Sequence, residues 1–304
     1  MWRVVLAVAT VAAVVVLGRR LAGADLADRL RSADAAWVTA AVLASVLPVL
    51  GNVTSLVALT PGRLPVLRTA AVQLATSFVN LVTPASAGGV ALNMRYLHRR
   101  GVPGAAAVTT VGVVQSSAGL VTLVLVAVLL ATSGQVREIG GLVPWQVPAA
   151  VVAVLAALTL VLRLWPAARD WCARRLLAPL RASWPPLRAT LSDPGRLTAA
   201  VLGHLVTTLG FTTTLWCAVH AFGGAAPLSL LVLVVVGSSA VAGAVPVPGG
   251  IGAAEAALVA GLATVGVDPT TALSAALLHR LVTFWARVPL GWVFLLLLRR
   301  TGDV

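Results

Sequence analysis

Lysine is absent from this 304-residue chain, and acids are scarce: nine in all, only two of them glutamate, Glu138 and Glu255. Without lysine there can be no phosphate-loop lysine, and no other nucleotide motif is present. The two cysteines, Cys172 and Cys217, lack both a mate and metal-ligand spacing, so no disulfide or metal framework is expected. No serine, histidine and carboxylate fall into a nucleophile pattern. The chain is therefore not expected to be an enzyme, and no cofactor is called for.

What is present is hydrocarbon. Apolar residues make up 59% of the chain, mean hydropathy is +0.99 and charged residues are only 10%, a composition outside the soluble globular range. The apolar runs are continuous instead of alternating, which predicts membrane-crossing helices and not a barrel. One all-α, polytopic membrane domain over 1–304 is the simplest reading. The first run, 4–17, is followed by Arg19 and Arg20. That pair argues for a retained helix over a cleaved signal. Further runs occupy about 37–59, where Pro48 and Gly51 predict a kink, then 66–82, 105–131, 147–162, 197–222, 228–245 and 270–298.

All 22 basic residues are arginine and the net charge is +13. In a membrane protein this excess belongs to cytoplasmic loops more readily than to a nucleic-acid surface. The segment 163–196 carries seven arginines against Asp170 and Asp193, with Trp165, Trp171 and Trp184 interleaved. It is expected to lie on the anionic cytoplasmic leaflet.

Two stretches interrupt the apolar runs. One is PVPGGIGAAE, 246–255, and the other is PASAGGV, 84–90. Proline removes a backbone donor and paired glycines allow positive φ, so each stretch breaks a helix. Broken backbone survives in lipid only inside protein or beside a water-filled cavity. Each break is followed by a Gly-Val-containing turn and a long apolar run, which suggests one unit used twice, at about 66–131 and 228–298. If each break dips into the membrane and returns to its own face, Arg3, Arg63, Arg68, Arg99, Arg100, the segment 163–196 and Arg299–Arg300 share the cytoplasmic side with both termini. The two re-entrant hairpins then enter from opposite faces, an inverted repeat.

Arg95, Glu255 and Arg280 fall within apolar segments, where a charge costs roughly 2.5–3.5 kcal/mol and calls for partners. Arg95 and Arg287 have snorkelling to an interface as the alternative. For Glu255 and Arg280 the plain alternative is a structural ion pair joining the second break to the last helix. The sharper expectation is that Arg280 and Arg95 receive an anionic head group, with half-helix amides at Gly88, Gly89, Gly249 and Gly250 adding donors. Asn80 and Asn93 flank the first break and serve either freed backbone or the lipid. His204, His220 and His279 read as packed or interfacial, and His98 as facing head groups.

At these stretches the chain resembles the lysylphosphatidylglycerol synthase transmembrane region, a flippase-like family. The resembling residues are 80–84 (NLVTP), Gly88–Gly89, Arg95 and 100–103 (RGVP), then 246–252 (PVPGGIG), Glu255, Gly266–Val267 and 272–280. The resemblance implies a bundle of about eight spans with re-entrant elements. It implies movement of a phospholipid or polyprenyl-phosphate-linked head group between leaflets of a bacterial inner membrane. In the family the first repeat often carries arginine at the position that looks like Gln115. Synthase members continue into a soluble aminoacyltransferase domain, whereas this chain ends at Val304, so synthase activity is not implied. A non-transporting membrane partner of a separately encoded glycosyl- or aminoacyltransferase is the alternative.

Overall fold

The structure, a computed structural model, describes residues 33–83, 87–132, 185, 188–245 and 247–304. The expected first helix, the 147–162 span and nearly all of the basic segment lie outside the described residues. The described part is helical throughout: α1 (Ala35–Ala44), α2 (Leu47–Leu59), α3 (Val66–Leu81), α4 (Ala87–Arg99), α5 (Gly104–Thr132), α6 (Pro194–Ala221), α7 (Leu228–Ala244), α8 (Ala253–Thr264), α9 (Pro269–Arg280) and α10 (Arg287–Arg300). A π turn, Leu281–Trp285, joins the last two. Among the described residues, four helical stretches are long and apolar enough to cross a membrane: α1 with α2, α5, α6, and α9 with α10.

Several boundaries follow from local chemistry. Asp34, Asp193 and Asp268 each accept backbone N–H bonds at the start of α1, α6 and α9, meeting donors that a helix leaves orphaned. The expected kink near Pro48 appears at Ser45–Val46, because Pro48 has no N–H to return to the preceding turn. Gly51 has a different task from kinking. A Cβ there would lie 2.4 Å from the Gly203 carbonyl, and one on Gly203 would lie 2.7 Å from the Gly51 carbonyl. The α2 and α6 backbones thus touch through small residues, with Ser55 Oγ donating to Ala200 O at 3.2 Å, the packing that hydrocarbon favours.

α3 and α4 form an antiparallel pair. Gly89 N–H reaches Asn80, Gln73 reaches Asn93, and Thr69 meets Tyr96, a register in which one number rises as the other falls. α7 and α8 pair likewise, with Gly250 against Ala242 and Gly261 against Val234. The first pair has its base at the Arg196 end of α6, since Arg196 donates to Thr60 O and Gly62 O just before α3. The second begins seven residues beyond Ala221, at the other end of α6. The hairpins therefore point at each other.

Among the described residues two large apolar cores result, with a smaller cluster at Ala58, Leu59 and Ala200. One packs α3 and α4 with α10 through Val72, Phe78, Tyr96, Trp285 and Leu295. The other packs α7 and α8 with α6 and α9 through Leu215, Leu231, Leu258, Ala275 and Leu278. Gly291 brings α10 close to α3, where a Cβ would lie 2.4 Å from Leu74 O. The closing helix thus leaves one core and enters the other at its π turn. Pro289, with no donor for Trp285 O four residues earlier, stands in the first turn of α10.

Candidate functional site

The second break is built on three left-handed glycines, Gly249 (φ 64°), Gly250 (φ 63°) and Gly252 (φ 84°). Side chains there would be strained, and one at Gly249 would also run into the Phe284 ring at 2.7 Å. Glu255, three residues into the new helix, accepts the Gly252 N–H at 2.7 Å and so stabilises the start of α8. Its other oxygen takes Arg280 Nε at 2.9 Å. Arg280 Nη2 donates to the Gly249 carbonyl at 3.1 Å, and the guanidinium lies 4.3 Å from the Phe284 ring centroid. The structural ion pair expected as the plain alternative is present. It leaves three of the five Arg280 donors free of these bonds.

Arg280 borders a cavity of about 330 Å³ between the two hairpin tips. Asn52 enters its lining from α2, Gln73, Thr76, Ser77 and Asn80 from α3, Ser238 and Ser239 from α7, and Gly249 and Gly250 from the break. The closing helix contributes His279, Arg280, Thr283, Phe284 and Arg287. Glu255 stands behind Arg280, outside the lining. Arg287 donates to Ser45 O, a carbonyl exposed by the α1–α2 break, and its guanidinium lies 5.8 Å from the Phe211 ring.

The remaining sequence candidates are placed differently. Arg95 is exposed on α4, one turn from its base at Arg99. Its neighbour Asn93 faces α3, and two residues of α-helix turn about 200°, so Arg95 points away from the hairpin partner. The amides of Gly88 and Gly89 are not free donors, because Thr83 Oγ1 takes the first at 3.1 Å and Asn80 Oδ1 the second at 2.7 Å. Asn93 donates to Gly89 O and accepts from Gln73, a structural role. Gly250 N–H is taken by Val247 O at 3.0 Å and is not a free donor, and Gly249 meets Arg280 through its carbonyl. Gln115 is exposed on α5, outside the cavity lining. The second cavity cation is Arg287, seven residues from Arg280 on the far side of the π turn.

Two of the four histidines, His204 and His279, are buried, and His98 is exposed. His204 Nε2 is 2.9 Å from Ser117 Oγ, joining α5 to α6, and His279 donates to Phe211 O at 3.2 Å. Four of the five acids among the described residues sit at helix starts, and the fifth, Asp303, is held by Arg68 and Arg100. Among the described residues no carboxylate lines the cavity. Groups of three or more metal-ligand side chains are likewise absent among the described residues.

Against known families, the model described as the lysylphosphatidylglycerol synthase TM region matches residues 4–291. No curated protein matches the chain.

Proposed function

Because the chain belongs to the lysylphosphatidylglycerol synthase transmembrane-region family, a family of membrane proteins related to lipid modification or flipping, we propose that it passes an anionic lipid head group between leaflets. One observation carries this reading: the polar cavity between the hairpin tips, bordered by Arg280 and Arg287. Counting these guanidinium groups against Glu255 gives a surplus of one positive charge, which suits a phospholipid or polyprenyl-phosphate group that arrives with its own negative charge. Glu255 keeps Arg280 neutralised until that group arrives.

Helix lengths support re-entry. α4 and α8 have 13 and 12 residues, only about 18–20 Å at the α-helical rise, against roughly 30 Å of hydrocarbon. Each hairpin then dips in and returns to its own face. Arg63, Arg68, Arg99, Arg100, Arg196, Arg299 and Arg300 mark one end of the described bundle, which we assign to the cytoplasm, with both termini, at the inner membrane of a bacterium. The protein acts without covalent chemistry of its own, and any lipid-modifying enzyme is a separate partner.

The test is a scrambling assay with fluorescent phosphatidylglycerol in reconstituted vesicles. Arg280→Gln and Arg287→Gln should each slow transfer by about tenfold or more, the equivalent of one lost charge-assisted contact. Transfer at the rate of the intact protein in both variants would reject the site.

A further inference from the structure

A second cavity of about 330 Å³ opens at the arginine-rich end of the bundle, away from the hairpin tips. Two turns form it: Pro61–Leu64, between α2 and α3, and Arg100–Pro103, between α4 and α5. Left-handed glycines, Gly62 (φ 95°) and Gly101 (φ 86°), allow both turns to fold back. Leu64, Val102, Pro103, Ala105 and Ala106 make its walls apolar, and Arg63 and Arg100 are the charged residues lining it.

The electrostatics of the two arginines differ from those of their neighbours. Arg196 is spent on the Thr60 and Gly62 carbonyls, and Arg68 on Asp303. Arg63 is exposed, and no described residue pairs with it. Arg100 gives only Nη2 to Asp303 among the described residues, while its Nε is buried with no partner. Asp303 is one carboxylate shared by two arginines, so this corner keeps an excess of positive charge. A guanidinium with unused donors is suited to phosphate oxygens. The apolar walls suit something longer than a free ion, since burying them against a small hydrated anion gains nothing.

We propose that this cavity is a second lipid site, distinct from the one between the tips, which seats an anionic phospholipid of the adjoining leaflet. The phosphate lies between Arg63 and Arg100, and the glycerol and upper acyl carbons lie along Leu64, Val102 and Ala105. The site does not depend on the protein moving lipid. It needs only a bilayer with anionic head groups at this end.

The experiment is native mass spectrometry of the full chain, delipidated in neutral detergent and titrated with phosphatidylglycerol, phosphatidylcholine or inorganic phosphate. Phosphatidylglycerol should bind in preference to phosphatidylcholine, and Arg63→Ala should weaken the site by about tenfold. Ala105→Trp, which fills the cavity with both arginines in place, should do the same. Arg280→Gln should leave this binding event unchanged, which separates it from the site between the tips. Wild-type occupancy in both Arg63→Ala and Ala105→Trp would overturn the proposal, as would inorganic phosphate displacing the lipid as effectively as phosphatidylglycerol does, the mark of a small-anion site.

Discussion

Removing either member of the Glu255–Arg280 pair should cost nearly as much stability as removing both. The side chains are 12% and 15% exposed, so each is largely withdrawn from water. Arg280→Ala forfeits the 2.9 Å bond to Glu255, the 3.1 Å bond to Gly249 O and the stacking on Phe284. It also leaves Glu255 with only the Gly252 amide and the helix start. Breaking such a pair from one side typically costs about 3–5 kcal/mol. The retained amide and the adjacent cavity place this case near the lower end, about 3 kcal/mol. Glu255→Ala should cost about the same, since Arg280 keeps the Gly249 carbonyl but loses its counter-charge. The double variant removes both charges together, and its loss should be about 3–4 kcal/mol, well short of the sum, for a coupling of about 2 kcal/mol or more. The assay is equilibrium unfolding in mixed micelles for the four proteins of the cycle. Losses that simply add would refute the reasoning, because they would mean that the two groups do not sense each other.

Two further outcomes follow from other contacts. Gly203→Val places side-chain atoms against the Gly51 carbonyl and the Ser55 backbone, so α2 and α6 must separate, at a cost of about 1–3 kcal/mol in the same unfolding measurement. Burial works to raise the pKa of Asp303, but hydrogen bonds from Thr301 and Arg68 and the charges of Arg100 and Arg68 outweigh it, leaving the carboxyl below its usual 3.8. A depressed carboxylate contributes stability above its unfolded pKa and loses it as pH falls through the lower folded value. Wild type should thus exceed Asp303→Asn in stability at about pH 6, with the gap closing as pH falls below 3.8 and through the lower folded value. A gap that persists in acid would show that the ion pairs are not its source.

The break at 246–252 was legible because proline and glycine act on their own backbone, whatever surrounds them. The union of Glu255 with Arg280 could be read as one of two alternatives, since an isolated charge in an apolar run needs a partner and the chain offers few. Arg287 was harder to place. Its destination depends on the Ser45 carbonyl, which is open only because Pro48 breaks a helix more than two hundred residues earlier. The Gly88 and Gly89 amides were misjudged for a similar reason: Thr83 and Asn80 reach them only once α3 and α4 settle into register. Arg95 stands at the right depth in sequence but on the outward face, and no periodicity in a short, glycine-bearing helix distinguishes the two faces.

The wide turn Leu281–Trp285, closed by the Ala286 N–H to Leu281 O bond at 2.8 Å, has a mechanical consequence. One rod is seated in both halves of the molecule, and Arg280 and Arg287 flank the place where it passes between them. Any tilt of one half against the other is therefore delivered to the pair of cations, so the spacing of the charges and the posture of the whole molecule cannot change independently.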